Sequence, residues 1–277
     1  MPKRKFAVIG HPIGHTMSPF IHKRLFELAK EDGEYIKVDI SPEELKLRMN
    51  ELNELCGYNI TIPHKQAIIP FLDKLDKKAE LYGSVNTVKN GAVKEGFTTD
   101  PDGFLKALET GGINFGGNVV IIGCGGAART FVYEAALAKC NITIAARSRD
   151  KADILVSEVS KKIGDTNIRS CHISELDREY DLLVNATPVG MYPNADSMPI
   201  SEKALSKCKN VFDAIYNPLE TVLIQRAKAN GSTAVGGMSM LVWQAVVAHE
   251  IWYNSQYSVD DINQLIEDSS KELKRKF

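Results

Sequence analysis

Residues 119–147 read VVIIGCGGAARTFVYEAALAKCNITIAAR, and the fold turns on this stretch. An apolar run at 119–122 breaks at Gly123-Cys-Gly125-Gly126-Ala127-Ala128. A segment of helical period follows, with Phe131, Ala135 and Ala138 on one face, and then a second β-rich run at 142–145. Strand, glycine turn, helix and second strand in this order predict the unit that cradles a dinucleotide. Gly123 permits the tight turn, Gly125 lets backbone N–H groups approach a pyrophosphate, and Gly126 adds backbone freedom. Ala128 takes the position where helix and strand pack closely. Gly123, Gly125, Gly126 and Ala127 are the candidate pyrophosphate contacts, with the anion on the helix N-terminus, where unpaired N–H groups and the dipole favour it. A glycine-rich loop that binds nothing is the plain alternative, and the flanking strands and helix weigh against it.

The end of the second strand selects the nucleotide. An NAD-binding unit carries Asp or Glu there, to accept from the ribose 2′-hydroxyl. Here the chain reads Ala145-Ala-Arg147-Ser148-Arg149-Asp150-Lys151. Arg147, Ser148 and Lys151 are candidates to hold a 2′-phosphate, which a guanidinium grips with two parallel hydrogen bonds. NADP is therefore the expected cofactor. A solvated basic loop, its charge partly offset by Asp150, is the other reading.

Composition narrows the class. The 277 residues allow one large or two modest domains. Lys and Arg total 34 and Asp and Glu 35, a net charge of −1, which points to neither a nucleic-acid nor a membrane partner. Cys56, Cys124, Cys140, Cys171 and Cys208 are scattered without a C-x-x-C pair, so reduced thiols in a cytoplasmic protein are expected, with no metal site. No apolar run is long enough for a signal peptide or a bilayer span.

Towards the N-terminus, residues 6–10 predict a strand, and Ser18 before Pro19 predicts a helix start, with Ile21, Leu25 and Leu28 at helical spacing. Residues 35–40 read as a strand. Ser41-Pro-Glu-Glu44 reads as a capping box opening a helix with Leu45, Met49, Leu52 and Leu55 on its apolar face. Residues 58–62 predict a strand ending at Pro63-His64-Lys65, where a third helix is expected. Residues 85–88 and 92–93 flank Asn90-Gly91, a hairpin signal. Beyond Asp102 come a helix bearing Phe104, Leu105 and Leu108, then the nucleotide unit. Further strands follow at 181–185, 210–214 and 232–235, with helices at 221–229, 240–253 and 260–274. No parallel strand follows the last two helices, so they are expected to return to the first domain. The predicted class is α/β in two domains. Residues 1–101 with 238–277 form a substrate domain, and residues 102–237 a Rossmann-type, doubly wound nucleotide-binding domain, with a ligand cleft between them.

The substrate side must name the reaction. The first domain offers Thr16, Ser18, Asn59, Thr61, Lys65, Asn86 and Asp100 at strand and loop ends. Asn59 and Thr61 alternate with Ile60 and Ile62, so they are expected on one face of a strand, with Lys65 just past its end. Such a face suits a small polyol, whose hydroxyls pair with buried amides and hydroxyls. Each residue also has a bland reading: Thr16 and Ser18 as caps, Lys65 as a surface lysine, Asp100 and Asn86 as turn residues. The histidines, His11, His15, His22, His64, His172 and His249, show no ligand spacing.

These residues carry a resemblance that runs the length of the chain. It rests on His11-Pro-Ile-Gly-His15-Thr16-Met17-Ser18-Pro19, Asn59-Ile-Thr61-Ile-Pro-His-Lys65, Ser84-Val-Asn86-Thr87 and Thr98-Thr99-Asp100-Pro-Asp-Gly103-Phe104. The glycine turn, Asn185-Ala-Thr187-Pro188-Val-Gly190-Met191, residues 213–218 and Met240-Leu-Val-Trp-Gln244-Ala complete it. In this order the motifs resemble the shikimate dehydrogenase family. The resemblance implies Lys65 and Asp100 as the catalytic pair, and Thr16, Ser18, Asn59, Thr61, Asn86, Tyr216 and Gln244 around the substrate. It implies NADP on the second domain, with Thr187, Met191 and Gly237 among its contacts. The chain departs from the family pattern at Thr16, where Ser is usual, at Thr98 and Pro101, where Asn and Gly are usual, and at Lys151, where Arg is expected.

The implied reaction is reversible, NADP-dependent reduction of 3-dehydroshikimate to shikimate, in aromatic amino acid biosynthesis, by a monomer or homodimer. A quinate or quinate/shikimate dehydrogenase is the alternative that Thr16, Thr98 and Pro101 keep open. From another class, an NADP-sensing binding protein remains, although a sensor needs neither Lys65 nor Asp100.

Overall fold

The computed structural model describes residues 3–14 and 16–276. The chain divides into two compact units, Met1–Gly103 with Val242–Phe277, and Phe104–Leu241. Both crossings fall inside helices. His15, in the first of the matching stretches, lies outside the described residues.

The first unit runs β1 (Arg4–Gly10), α1 (Ser18–Ala29), β2 (Gly33–Asp39), α2 (Met49–Asn53), β3 (Gly57–Ile60), β4 (Lys74–Leu75), α3 (Lys77–Tyr82), β5 (Thr87–Lys89) and β6 (Glu95–Phe97). Helix α4 (Asp100–Thr110) then leads out of it. The strands form one sheet in the order β2-β1-β3-β5-β6-β4. β1 pairs parallel with β2 and β3, whereas β5 pairs antiparallel with β3 and β6. The two-residue alternation of strands divides β1: Ala7 and Ile9 join Tyr58, Ile60, Leu45 and Leu52 in one core, and Phe6 packs on the other side with Phe26 and Trp252.

Four local expectations fail here. The helix expected from Ser41 is a series of turns that becomes α2 only at Met49, although Leu45, Met49 and Leu52 are buried as its face required. Glu44 N bonds Ser41 O three residues back, a tighter turn than an α-helix makes, even while the Glu44 carboxylate accepts from Ser41 N at 2.9 Å. The helix expected after Pro63 is also turns, ending in a 3₁₀ stretch, Ile69–Phe71. The hairpin strand expected at 92–93 lies instead at β6, because Asn90 turns its amide onto the Leu52 and Leu55 carbonyls at 2.8 and 2.9 Å and lengthens the loop. β3 stops at Ile60, so Ile62 is 71 % exposed rather than sharing the buried face of Ile60.

The second unit contains β7 (Asn118–Ile122), α5 (Gly126–Leu137), β8 (Asn141–Ala146), α6 (Arg149–Ile163), β9 (Asn167–His172), β10 (Tyr180–Asn185), α7 (Glu202–Leu205), β11 (Cys208–Asp213), α8 (Val222–Ala229) and β12 (Thr233–Gly236). All pairs in its sheet, ordered β12-β11-β10-β7-β8-β9, are parallel. Winding reverses between β7 and β10, which opens a crevice at the carboxyl ends of those strands. Both faces are covered. Phe104, Phe131 and Phe212 meet on one, with ring centroids 4.5 to 5.9 Å apart, and Val120, Ile122, Leu183 and Val211 share the other core. α6 and β9 escape the sequence reading, since α6 buries only Ala152, Leu155 and Val159 along a charged helix.

Helix α9 (Met238–Tyr253) carries the chain back, and α10 (Val259–Lys276) ends it. The expected return is made: Trp252 Nε1 donates to Val88 O at 2.9 Å and Lys89 Nζ to Ile251 O at 2.7 Å, so the end of α9 is pinned to β5. No helix among the described residues is long and apolar enough to cross a membrane.

Candidate active site

Lys65 owes its place to its neighbour. His64 is fully buried, and its Nε2–H donates to Ile40 O at 2.6 Å, which ties the turn after β3 to the end of β2. Lys65 O then accepts from Val85 N at 2.8 Å. From this braced backbone the side chain reaches Asp100, with Nζ 2.5 Å from Oδ2. Both side chains keep a little solvent contact, 27 % for Lys65 and 16 % for Asp100. Asp100 opens α4, where the helix N-terminus favours a carboxylate.

Asn86 completes the group. It is buried, its N–H bonds Phe97 O, and its carbonyl accepts from Ile60 N. Its side-chain orientation is determined at both ends. Oδ1 accepts from Thr99 N at 2.7 Å, and Nδ2 donates to Asp100 Oδ1 at 2.7 Å and to Thr99 Oγ1 at 3.0 Å. Asp100 is thus held by Lys65 on one oxygen and Asn86 on the other. Thr99 Oγ1 also lies 3.5 Å from Gln244 Oε1 on α9.

The remaining polar residues divide. Thr16 Oγ1 donates to Ser18 Oγ at 3.0 Å and accepts from Ser18 N at 3.1 Å. Ser18 is the first residue of α1 rather than its cap, so the capping reading of Ser18 fails, while the Thr16 hydroxyl takes the first N–H of the helix. Asn59 spends its amide within the protein: Oδ1 accepts from Tyr35 OH at 2.7 Å, and Nδ2 donates to Thr87 Oγ1 at 3.0 Å and Asn86 O at 3.3 Å. It braces Asn86 from behind. Thr61 lies past the end of β3, its N–H on Ile9 O and its side chain half-buried. Tyr216 is half-buried in the second unit, after β11, where burial pushes its phenol upward.

The glycine turn sits between β7 and α5. Gly123 has φ +106°, where an L side chain is strained, and a Cβ there would lie 3.0 Å from Thr187 Cγ2. Gly125, Gly126 and Ala127 are exposed at the start of α5, whose first N–H groups have no side-chain cap, and a Cβ on Gly125 or Gly126 would meet open space. Ala128 is fully buried, in keeping with its packing position. Arg147 and Ser148 join β8 to α6, and the Ser148 hydroxyl does not cap that helix. Arg147, Arg149 and Lys151 are exposed and make no ion pair among the described residues. Uncapped N–H groups, an open turn and uncommitted cations fit a dinucleotide bearing an extra phosphate.

Beside the turn, Thr187 N and Oγ1 both donate to Asn185 Oδ1, at 3.0 and 2.7 Å. Met191 is exposed further along this loop. Gly237 is needed for packing, since a Cβ there would lie 2.6 Å from the carbonyl carbon of Ala214. Asp213, at the end of β11, is fully shielded. Burial pushes its carboxyl up to about 6, against hydrogen bonds from Thr221, Ile215 and Asn185 that pull it down. In the unfolded chain a carboxyl ionises near pH 4 (about 3.9), so between that and pH 6 the folded form keeps a proton the unfolded form has lost. Its contribution to stability is therefore full below about pH 4 and falls as pH rises to 6, by up to about 3 kcal/mol. Asp213→Asn removes this titration. Melting curves from pH 4 to 7 should shift in the variant's favour relative to wild type as pH rises, and parallel curves would contradict the burial.

Structure thus gathers Lys65, Asn86 and Asp100 into one bonded group with Gln244 beside it, and pairs Thr16 with Ser18. Asn59 bonds Tyr35, Thr87 and the Asn86 carbonyl behind this group. Sequence reasoning missed His64, Tyr35, Thr87, Thr99 and Asp213 as supports; His64, Thr87 and Thr99 had a local signal, their places next to Lys65, Asn86 and Asp100.

Residues 8–88 match the family described as the shikimate dehydrogenase substrate binding domain. The NADP(+) shikimate dehydrogenase of Methanocaldococcus jannaschii is 40% identical over 270 residues, 94% of this chain and 95% of that protein. That of Methanopyrus kandleri is 39% identical over 94% of this chain and 93% of its own. Among solved structures, a chorismate mutase/shikimate 5-dehydrogenase fusion protein from Clostridium acetobutylicum superposes with a TM-score of 0.89 at 29% identity, covering 100% of both chains. The Thermus thermophilus shikimate 5-dehydrogenase in complex with NADP(H) and shikimate gives 0.87 at 31% identity, covering 96% of this chain and 99% of that one. With relatives this similar over nearly their whole length, the chain belongs to the shikimate dehydrogenase family.

Proposed function

We propose that this chain is an NADP-dependent shikimate dehydrogenase that interconverts 3-dehydroshikimate and shikimate. The observation that carries the reading is the bonded group of Lys65, Asp100 and Asn86, in a chain whose relatives bear that name. NADP, when bound, supplies or accepts the hydride. The chain handles the proton. As the ring ketone becomes an alkoxide, Lys65 gives a proton to that oxygen; in the reverse direction Lys65 takes it from the hydroxyl. Asp100 orients Nζ through its 2.5 Å contact, and Asn86 keeps Asp100 from turning away.

Thr16 and Ser18 supply hydroxyls for the substrate carboxylate, and Thr61, Gln244 and Tyr216 bind the remainder, with Asn59 as a brace. Gly123, Gly125, Gly126 and Ala127 take the pyrophosphate, Arg147, Ser148 and Lys151 the 2′-phosphate, and Thr187, Met191 and Gly237 complete the cofactor's surroundings. The protein works on small molecules in the cytoplasm, as a monomer or homodimer; its free cysteines, Cys56 exposed among them, suit a reducing compartment.

Near-ultraviolet absorbance during incubation with NADP⁺ and either shikimate or quinate tests this. Turnover with shikimate is expected. Turnover with quinate as well would mean that Thr16, Thr98 and Pro101 have widened the specificity. Binding of NADP⁺ without turnover on either would sink the dehydrogenase reading. NAD⁺ belongs in the same experiment, since a Listeria monocytogenes neighbour, 31% identical with a TM-score of 0.86, was solved with shikimate and NAD.

A further inference from the structure

One buried carboxylate has no part in this reaction. Three donors converge on Asp213, and none is charged. Oδ2 accepts from Thr221 Oγ1 at 2.6 Å, and Oδ1 accepts from Ile215 N at 3.1 Å and Asn185 Nδ2 at 3.0 Å. The Asn185 amide is therefore oriented, nitrogen towards Asp213 and oxygen away. That oxygen receives Thr187 N and Thr187 Oγ1, and Thr187 Oγ1 accepts in turn from Val189 N at 3.3 Å. The loop after β10 hangs on one amide whose direction is set from the neighbouring strand. At its far end the Thr187 methyl lies against the glycine turn, 3.0 Å from where a Gly123 side chain would begin. A flipped Asn185 would set its NH₂ against the Thr187 N–H, donor against donor.

We propose that Asp213 is a positioning residue for cofactor binding: through Asn185 it sets the loop carrying Thr187 and Met191 beside the glycine turn, without touching the dinucleotide. The inference rests on the NADP reading of this unit. It needs an acceptor at Oδ1 rather than a charge. In Asp213→Asn the remaining oxygen still serves Asn185 and Ile215 while the new NH₂ donates to Thr221 Oγ1, so that variant should keep the orientation.

Calorimetric titration with NADP⁺ tests it. Asp213→Ala should raise the dissociation constant at least about tenfold, with Asp213→Asn within about threefold of wild type and the KM for shikimate in both within about twofold. Thr221→Val removes a donor from the same carboxylate but leaves Asn185 anchored, so it should melt earlier and bind NADP⁺ normally. Wild-type affinity in Asp213→Ala would overturn the proposal, as would an equal loss in Thr221→Val. If Asp213→Ala does not fold, amide exchange in the wild type decides. The Thr187 and Val189 N–H groups should exchange at least about a hundredfold more slowly than those of an unbonded loop, and fast exchange there would refute the anchor. Failure of the wild type to bind NADP⁺ would instead end the NADP reading, with the exchange result still judging the anchor.

Discussion

Lys65→Ala should lower kcat by about 10²- to 10⁴-fold while the KM for shikimate moves no more than about threefold. The split follows from the geometry. Nζ is held 2.5 Å from Asp100 Oδ2, and what the substitution removes is the proton carrier rather than a binding wall. Asp100 keeps its second partner, Asn86 Nδ2 at 2.7 Å, and its place at the start of α4, so the carboxylate is not stranded. The ion pair is partly open to solvent, which limits its worth to folding to about 1 kcal/mol or less. A variant that melts near the wild-type temperature and turns over at the wild-type rate would remove Lys65 from the mechanism. A rise in KM with kcat unchanged would make it a binding residue.

The second large effect is expected at the other unit. Arg147→Ala should weaken NADP⁺ by about 10- to 100-fold and leave NAD⁺ unchanged, since a charge-assisted hydrogen bond is worth about 1.5–3 kcal/mol and NAD⁺ has no 2′-phosphate to lose it. Arg147 is exposed, follows β8 directly and makes no ion pair among the described residues, so its guanidinium is uncommitted. Dissociation constants for both nucleotides at one salt concentration check this, because exposed charges are screened. Equal weakening of the two would mean that Arg147 shapes the loop instead of reading the phosphate.

Where a feature depends on neighbours in the chain, the sequence was a good guide. The glycine turn is local: Gly123 must take a positive φ and Ala128 must be small, and both demands are written in residue type. The candidate residues of the first unit were visible for the same reason, as polar side chains at the ends of apolar runs. Their partners were not. Ser18 has every mark of a cap, yet its hydroxyl faces Thr16. Asn90-Gly91 has the mark of a two-residue turn, yet Asn90 serves the carbonyls of Leu52 and Leu55. A side-chain amide bonds whichever backbone group the fold brings near, and local propensity is worth too little to prevent it.

By itself, then, the amino-acid sequence determined the α/β class, the strand–turn–helix unit between β7 and β8, the cationic end of β8 and the polar residue types at the strand and loop ends of the first unit. Each rests on periodicity, on a backbone angle or on charge, all of them properties of short stretches. Tertiary structure alone decided that Lys65 meets Asp100 across 35 residues, that Asn86 holds the other oxygen of that carboxylate, and that Asp213 orients Asn185 from the next strand. These are alignment effects. Which donor faces which acceptor depends on how separate strands, turns and helices are aligned, and within the strands a displacement of one residue would turn Asn185 or Asp213 to the opposite face.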